Sequence, residues 1–154
     1  MTPHVSRSST GRRDSAFAVI VRRSLVLLVR TRRKRRWQLP GGGMKRRETP
    51  RQAARREVDE ETGLCATNLR LTGVYGRADG SVAVVFAARV AKGAKPAGPR
   101  NEIREQRWVP RHEAMRLLPR QARRRLADAL AAPKSFAARG GRGSERRLSL
   151  RMSG

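Results

Sequence analysis

The segment GGGMKRRETPRQAARREVDEETGL, Gly41–Leu64, decides how the rest of the chain is read. Its second part predicts a helix over Pro50–Thr62. Thr49 can cap the first turn with its hydroxyl, Pro50 has the backbone angle of a first helical residue, and Gln52 at N3 completes a capping box. Gly63 supplies the stop, because glycine readily takes the left-handed conformation of a helix C-terminus. Along this helix Glu57, Glu60 and Glu61 stand at i, i+3 and i+4 and share one face, which gathers three carboxylates in a small volume. Ala54 and Val58 form an apolar stripe for a sheet, and Arg51 and Arg55 are expected to face solvent.

Three like charges repel. They are tolerated when exposed and screened, or when a divalent cation neutralises them, and hard carboxylate oxygens favour Mg²⁺ or Mn²⁺. An acidic helix edge taken alone is more often a solvated face. This chain, however, holds only 12 acidic residues among 154, and four of them fall in Glu57–Glu61, a concentration that calls for a reason. Gly41–Gly43 follow a short strand expected at Trp37–Leu39 and Pro40. Glycines at a strand end let the backbone approach a metal or a phosphate, although a glycine-rich turn by itself is usually just a turn.

The spacing of these parts is more specific than any one of them. Gly42 is followed after five residues by Glu48, and after seven more by Arg56-Glu57-Val58-Asp59-Glu60-Glu61-Thr62-Gly63-Leu64. This resembles the complete Nudix box, G-x5-E-x7-R-E-U-x-E-E-x-G-U with U aliphatic, and all nine defined positions match. Trp37, Leu39 and Pro40 resemble the usual lead-in.

The resemblance implies an α/β fold, the Nudix α/β/α sandwich with a mixed β-sheet. It implies that Glu57, Glu60 and Glu61 bind metal and supply the base, with Glu57 as first choice for base and Glu60 and Glu61 as main ligands. It implies a further ligand in the backbone carbonyl of Gly41. Glu48 and Arg56 match the pair that braces the loop against the helix, a role suited to a bidentate Arg–carboxylate contact. A further carboxylate often comes from outside the box; Glu102 and Glu105 are the candidates, and either could equally be a surface residue. One departure is Arg47, where relatives often carry glycine just before the first box glutamate. With Lys45 and Arg46 it makes this loop more basic than usual.

Outward from the box, Ser15–Val21 and Leu25–Val29 are apolar, β-branched runs that predict a hairpin across Arg22, Arg23 and Ser24. Arg30–Arg36 is a basic run, read as a solvated loop or as a phosphate-attracting rim. Asn68–Tyr75 and Ser81–Val90 predict strands joined by a turn at Asp79-Gly80, and Gln106–Val109 predicts a short strand. Arg111–Leu118 and Arg120–Ala131 predict helices split by Pro119. Strands around a central helix, with a helical end, predict a mixed sheet covered on both faces. Residues 15–132 are expected to form the domain, 1–14 a disordered leader and 133–154 a basic disordered tail.

Composition narrows the partners. With 37 Lys and Arg against 12 Asp and Glu, the net charge is +25, which favours polyanions and makes nucleic acid a candidate partner beside a nucleotide-type substrate. A coding bias towards Arg, Ala and Gly would give the same charge. Cys65 is the single cysteine, so neither an intrachain disulfide nor a cysteine zinc cluster is available. His4 and His112 have no visible catalytic partner. No apolar run approaches transmembrane length, which gives no membrane partner and a cytoplasmic expectation.

The implied reaction is metal-assisted attack of water on a diphosphate linkage in a nucleoside diphosphate derivative, such as a nucleoside triphosphate, an oxidised one, ADP-ribose, a dinucleotide or a 5′-triphosphorylated RNA end. The competing expectation is a nucleic-acid-binding protein on the same scaffold with weak or no catalysis. The intact carboxylate set speaks against it, since a binder of polyanions gains nothing from clustered glutamates.

Overall fold

The computed structural model describes residues 12–33, 35–95, 103–131 and the short strand at 145–147. In chain order the elements are β1 (Ser15–Arg22), β2 (Leu25–Thr31), β3 (Trp37–Gln38), β4 (Gly41–Gly43), α1 (Pro50–Thr62), β5 (Thr67–Arg77), β6 (Val82–Arg89), β7 (Ile103–Pro110), α2 (Arg111–Leu117), α3 (Arg120–Ala131) and β8 (Glu145–Arg147).

β1 is the centre of the molecule. It runs parallel to β6 over Ser15–Ile20 and antiparallel to β4, with Phe17 opposite Gly41. β6 continues antiparallel to β5, and β5 to β8. The sheet is therefore mixed, as expected. The hairpin between β1 and β2 is shorter than the sequence suggests. Only Val21–Val26 and Arg22–Leu25 face each other, after which β2 diverges to pair with β3 and along most of its length with β7. Both strands are apolar on both faces, so each can be sandwiched between layers instead of exposing one side as a free hairpin does.

Alternation along β1 sorts the two cores. Ala16, Ala18 and Ile20 point to α1, where they pack with Ala53, Ala54, Val58, Leu27 and Phe86. Val19 points the other way, with Leu28, Tyr75, Val85, Leu118 and Leu126, under α2 and α3. The result is helix, sheet, helix. The Tyr75 hydroxyl donates to Asp128 Oδ2 at 2.7 Å and ties β5 to α3.

Most strands shift by one or two residues at their ends, and three segments differ more from expectation. β7 starts at Ile103, because its pairing with β2 carries it past the short aromatic run. Gly41–Gly43, expected as a turn, is a strand held by β1. Within the segment expected as tail, Glu145–Arg147 lies in the sheet beside β5: backbone pairing with an open edge needs no apolar side chains. The rest of 133–154, and the leader up to residue 11, lie outside the described residues. No helix among the described residues is long and apolar enough to cross a membrane.

Candidate active site

The site is built where β4 meets α1. Thr49 caps the helix: its Oγ1 accepts from the Gln52 N–H at 3.2 Å, and Gln52 Oε1 accepts from the Thr49 N–H at 2.9 Å. At the other end Gly63 has φ 71° and its N–H donates to the Asp59 carbonyl at 2.8 Å. These two ends fix where the helix starts and stops, and the packing of Ala53, Ala54 and Val58 on β1 fixes which way its glutamates face.

Arg56 is the hub. Its Nε donates to Glu48 Oε1 at 2.7 Å and its Nη2 to Glu48 Oε2 at 3.0 Å, a two-point contact. Nη2 also reaches the Gly43 carbonyl at 3.0 Å, and Nη1 lies 3.1 Å from both Glu57 Oε1 and Glu60 Oε2. Glu48 further accepts from the Lys45 N–H at 2.8 Å. The hydrogen bonds from Arg56 hold the Glu48 carboxyl at about 2, well below the usual 4.5.

Glu61 is buried at 9 % exposure, and its Oε2 accepts from the Gly41 N–H at 3.1 Å. Burial, with the neighbouring charge of Glu57, pushes its carboxyl up to about 9. Glu57 is half-buried and is also raised, chiefly by desolvation, while Arg56 opposes the shift. A Cβ at Gly42 would stand 2.5 Å from Glu57 Oε1 and would push that carboxylate off the strand. Glycine at that position lets the carboxylate rest directly on the β4 backbone.

The three glutamates thus share one helix edge, but they do not converge on a point as expected. Among the described residues no group of three or more His, Cys, Asp or Glu side chains is set to hold a metal ion. Arg56 is the counter-charge that the chain itself supplies, so Glu57 and Glu60 turn to it and Glu61 turns to the Gly41 amide. The donor set still fits a hard divalent cation. A carboxyl whose basicity is raised by burial and by an adjacent carboxylate is the arrangement that a cation relieves, and the missing Cβ of Gly42 leaves the backbone in contact with the set.

Glu105 is not gathered with them. It faces Arg30 across β2, with which it pairs closely, and Arg107 Nη2 at 3.0 Å. Its neighbour Gln106 occupies the other face of β7 and donates from Nε2 to the Glu61 carbonyl at 3.0 Å. Strand alternation therefore turns Glu105 away from α1. Glu102 lies outside the described residues. His112 is exposed on α2.

Behind β4, on the face covered by α3, lies a cavity of about 480 Å³. Phe17 and Trp37 contribute aromatic surface, and Arg36, Arg77, Arg120 and Arg125 contribute charge. Arg125 is buried and lies 4.7 Å from the Phe17 ring centre. Arg77 is held by Ser15 Oγ at 2.6 Å. Arg36 and Trp37 belong to stretches that the sequence singled out, the basic run and the lead-in to the box, whereas Phe17, Arg77, Arg120 and Arg125 carry no local motif. Together they come from four separate stretches of sequence, and only the fold collects them.

The NUDIX domain family model matches residues 11–131. A MutT-like protein of Streptomyces ambofaciens is 34% identical over 118 residues, which cover 75% of each chain. A CMP-5′-(N-acetyl-N-hydroxy-3-aminopropyl)phosphonate hydrolase of Streptomyces rubellomurinus is 39% identical over 85 residues, but these cover 53% of this chain and only 41% of that protein. Among solved structures, a NUDIX hydrolase from Nitrosomonas europaea superposes with a TM-score of 0.68 at 23% identity, covering 81% of this chain and 76% of its own. A C. elegans Ap4A hydrolase superposes at 0.67 with 19% identity, covering 77% and 96%; at these identities the likeness concerns the fold. The family match over most of the chain, the sandwich and the box on its α1 edge agree, and the chain belongs to the Nudix hydrolase family.

Proposed function

We propose that the protein hydrolyses a diphosphate linkage in a nucleoside diphosphate derivative with the help of Mg²⁺ or Mn²⁺. The observation that carries this reading is the α1 edge: Glu57, Glu60 and buried Glu61 set against the Gly41–Gly43 backbone in a chain otherwise dominated by arginine. Glu57, Glu60 and Glu61 would hold the cation, with the Gly41 carbonyl as a further donor. When bound, a divalent cation neutralises non-bridging phosphate oxygens and lowers the pKa of a water molecule.

The rest falls to the chain's own groups. Glu57 is the proposed proton acceptor, because it is the partly buried box carboxylate whose basicity is raised. Arg56 fixes the loop carrying Glu48 and Gly43 to the helix, so the backbone and carboxylates keep their spacing. The arginine-lined cavity beside β4 suits a nucleotide: Phe17 and Trp37 offer ring surface to a base, and the guanidinium groups offer donors to phosphate. Phe17, which lines the cavity, pairs with Gly41, so the strand that carries the box glycines adjoins one wall of it.

The decisive experiment is a panel of nucleoside triphosphates, oxidised nucleoside triphosphates, ADP-ribose, dinucleoside polyphosphates and 5′-triphosphorylated RNA, assayed with Mg²⁺ or Mn²⁺ and again with excess EDTA. Turnover of at least one compound is expected, and it should vanish with chelator. Turnover that persists in EDTA would remove the metal from the reading. Salt-sensitive RNA binding with no turnover on any compound would replace it by the binding function.

A further inference from the structure

A second cavity, of about 640 Å³, lies at the opposite end of β1 from the box. Arg22 at the end of β1 and Arg23 in the turn after it form one wall, and Arg89, Lys92 and Lys95 from the end of β6 and the loop after it form the other. Val21, Leu25 and Val90 supply apolar surface between them. No acidic residue lines it, and among the described residues no ion pair involves any of these five cations. Five like charges around one hollow raise the potential there and favour a polyanion over a neutral ligand.

Two features show that the two walls are held together. The Arg22 guanidinium lies 4.2 Å from the Trp108 ring centre, and its Nη1 donates to the Ala94 carbonyl, which fastens the loop to β1. Arg23 and Ser24 form the two-residue turn with φ 49° and 66°, a left-handed pair usually left to Asn and Gly.

We propose that this cavity binds the phosphodiester backbone of single-stranded RNA, as a site separate from the one that binds the scissile diphosphate. From Phe17 to Arg22 is about 16 Å along an extended strand, so a mononucleotide seated beside Gly41 does not reach it and a chain of several phosphates does. Three of the five cations are arginines, whose planar forks match phosphate oxygens two at a time. The apolar strip between the cationic walls gives the ribose and the base faces a surface that a single inorganic phosphate would not use. The choice of RNA rests on the nucleotide reading of the active site; the cavity's preference for a polyanion does not.

The test uses the full chain in EDTA, so that binding is read without turnover, and a fluorescein-labelled single-stranded RNA with a 5′-hydroxyl, which lacks a diphosphate to cleave. Arg23→Glu with Lys92→Glu is compared with Arg111→Glu and Arg123→Glu. The second pair changes the net charge equally, at exposed positions in the first turns of α2 and α3 where acidic residues suit the helix dipole. The cavity pair should weaken binding by about tenfold or more and flatten the salt dependence by about two phosphate contacts, against at most about threefold for the control pair. Mononucleotide turnover, measured separately with metal, should be equal in both. Equal loss of RNA binding in both pairs, or absence of binding by the unmodified protein, would overturn the site. So would a cavity pair that loses binding to phosphatidylserine vesicles while keeping its RNA affinity. If the cavity pair unfolds, Lys92→Gln with Lys95→Gln should still weaken RNA binding, by about threefold or more; unchanged affinity in that variant also overturns the site.

Discussion

At the scale of single residues, burial and charge oppose each other at Glu61. Its carboxyl is buried, accepts one amide hydrogen bond and stands beside Glu57, so the neutral form is favoured. Glutamine at this position keeps the acceptor for Gly41 and carries no charge. Glu61→Gln should therefore fold as stably as the parent, and Glu57→Gln likewise, while each lowers kcat by roughly 10²-fold or more. Steady-state assays on the best substrate of the panel, with thermal melts alongside, check this; wild-type rates in both variants would remove these residues from the site. The Glu48–Arg56 contact behaves differently, because each charge needs the other. Arg56→Ala should cost about 2 kcal/mol in urea unfolding, since both side chains are largely shielded from solvent, and should lower activity as well. Glu48 is held below its usual value, so its contribution is complete above pH 4.5 and fades as pH falls towards 2. The acid limb of a stability–pH curve should be flatter in Arg56→Ala than in the parent. Identical curves, with an unchanged melting temperature and unchanged activity, would reject the brace.

At the scale of elements, α1 works only if its rotation about its own axis is fixed, because its buried stripe, Ala53, Ala54 and Val58, lies beside its acidic edge. The capping box and Gly63 fix the ends, and packing on β1 fixes the face. Thr49→Ala removes one half of the box and should lower stability by about 1 kcal/mol in urea unfolding. The accompanying loss of activity should be small, because packing on β1 still sets the face. A fall in kcat as large as that of Glu61→Gln would show that the cap, and not the packing, sets the phase of the glutamates.

At the scale of the whole molecule, the question is where the working domain ends. The family match closes at residue 131, and the domain is proposed to close at 132. Beyond it, β8 adds three backbone pairs to the edge of β5. Deleting residues 133–154 should lower stability by no more than about 2 kcal/mol, the worth of a few cross-strand pairs. It should leave kcat/KM for a mononucleotide within about twofold and weaken retention on nucleic acid at low salt, as its arginines are lost. Abolished mononucleotide turnover would place the segment inside the active site and move the boundary.

The sequence alone was enough for the box, the helix and its caps, and the family, because these depend on spacing within one short segment and on local backbone preferences. The positions of most strands were legible for the same reason: short apolar runs such as Val26–Val29 mark themselves. Partnership between strands was not legible. That β1 leaves β2 after two residue pairs to run parallel to β6 is set by two-sided burial, which pairwise patterning within a strand does not encode. Glu105 illustrates the same limit. It was a candidate because relatives often draw a further carboxylate from outside the box, and the strand pleat turns it to Arg30 instead. Both cavities exist only in the tertiary structure. Arginine is spread over the whole chain, so sequence gives no ground for separating Arg77 and Arg125 from the rest; the sheet and helices decide which of them face a common volume.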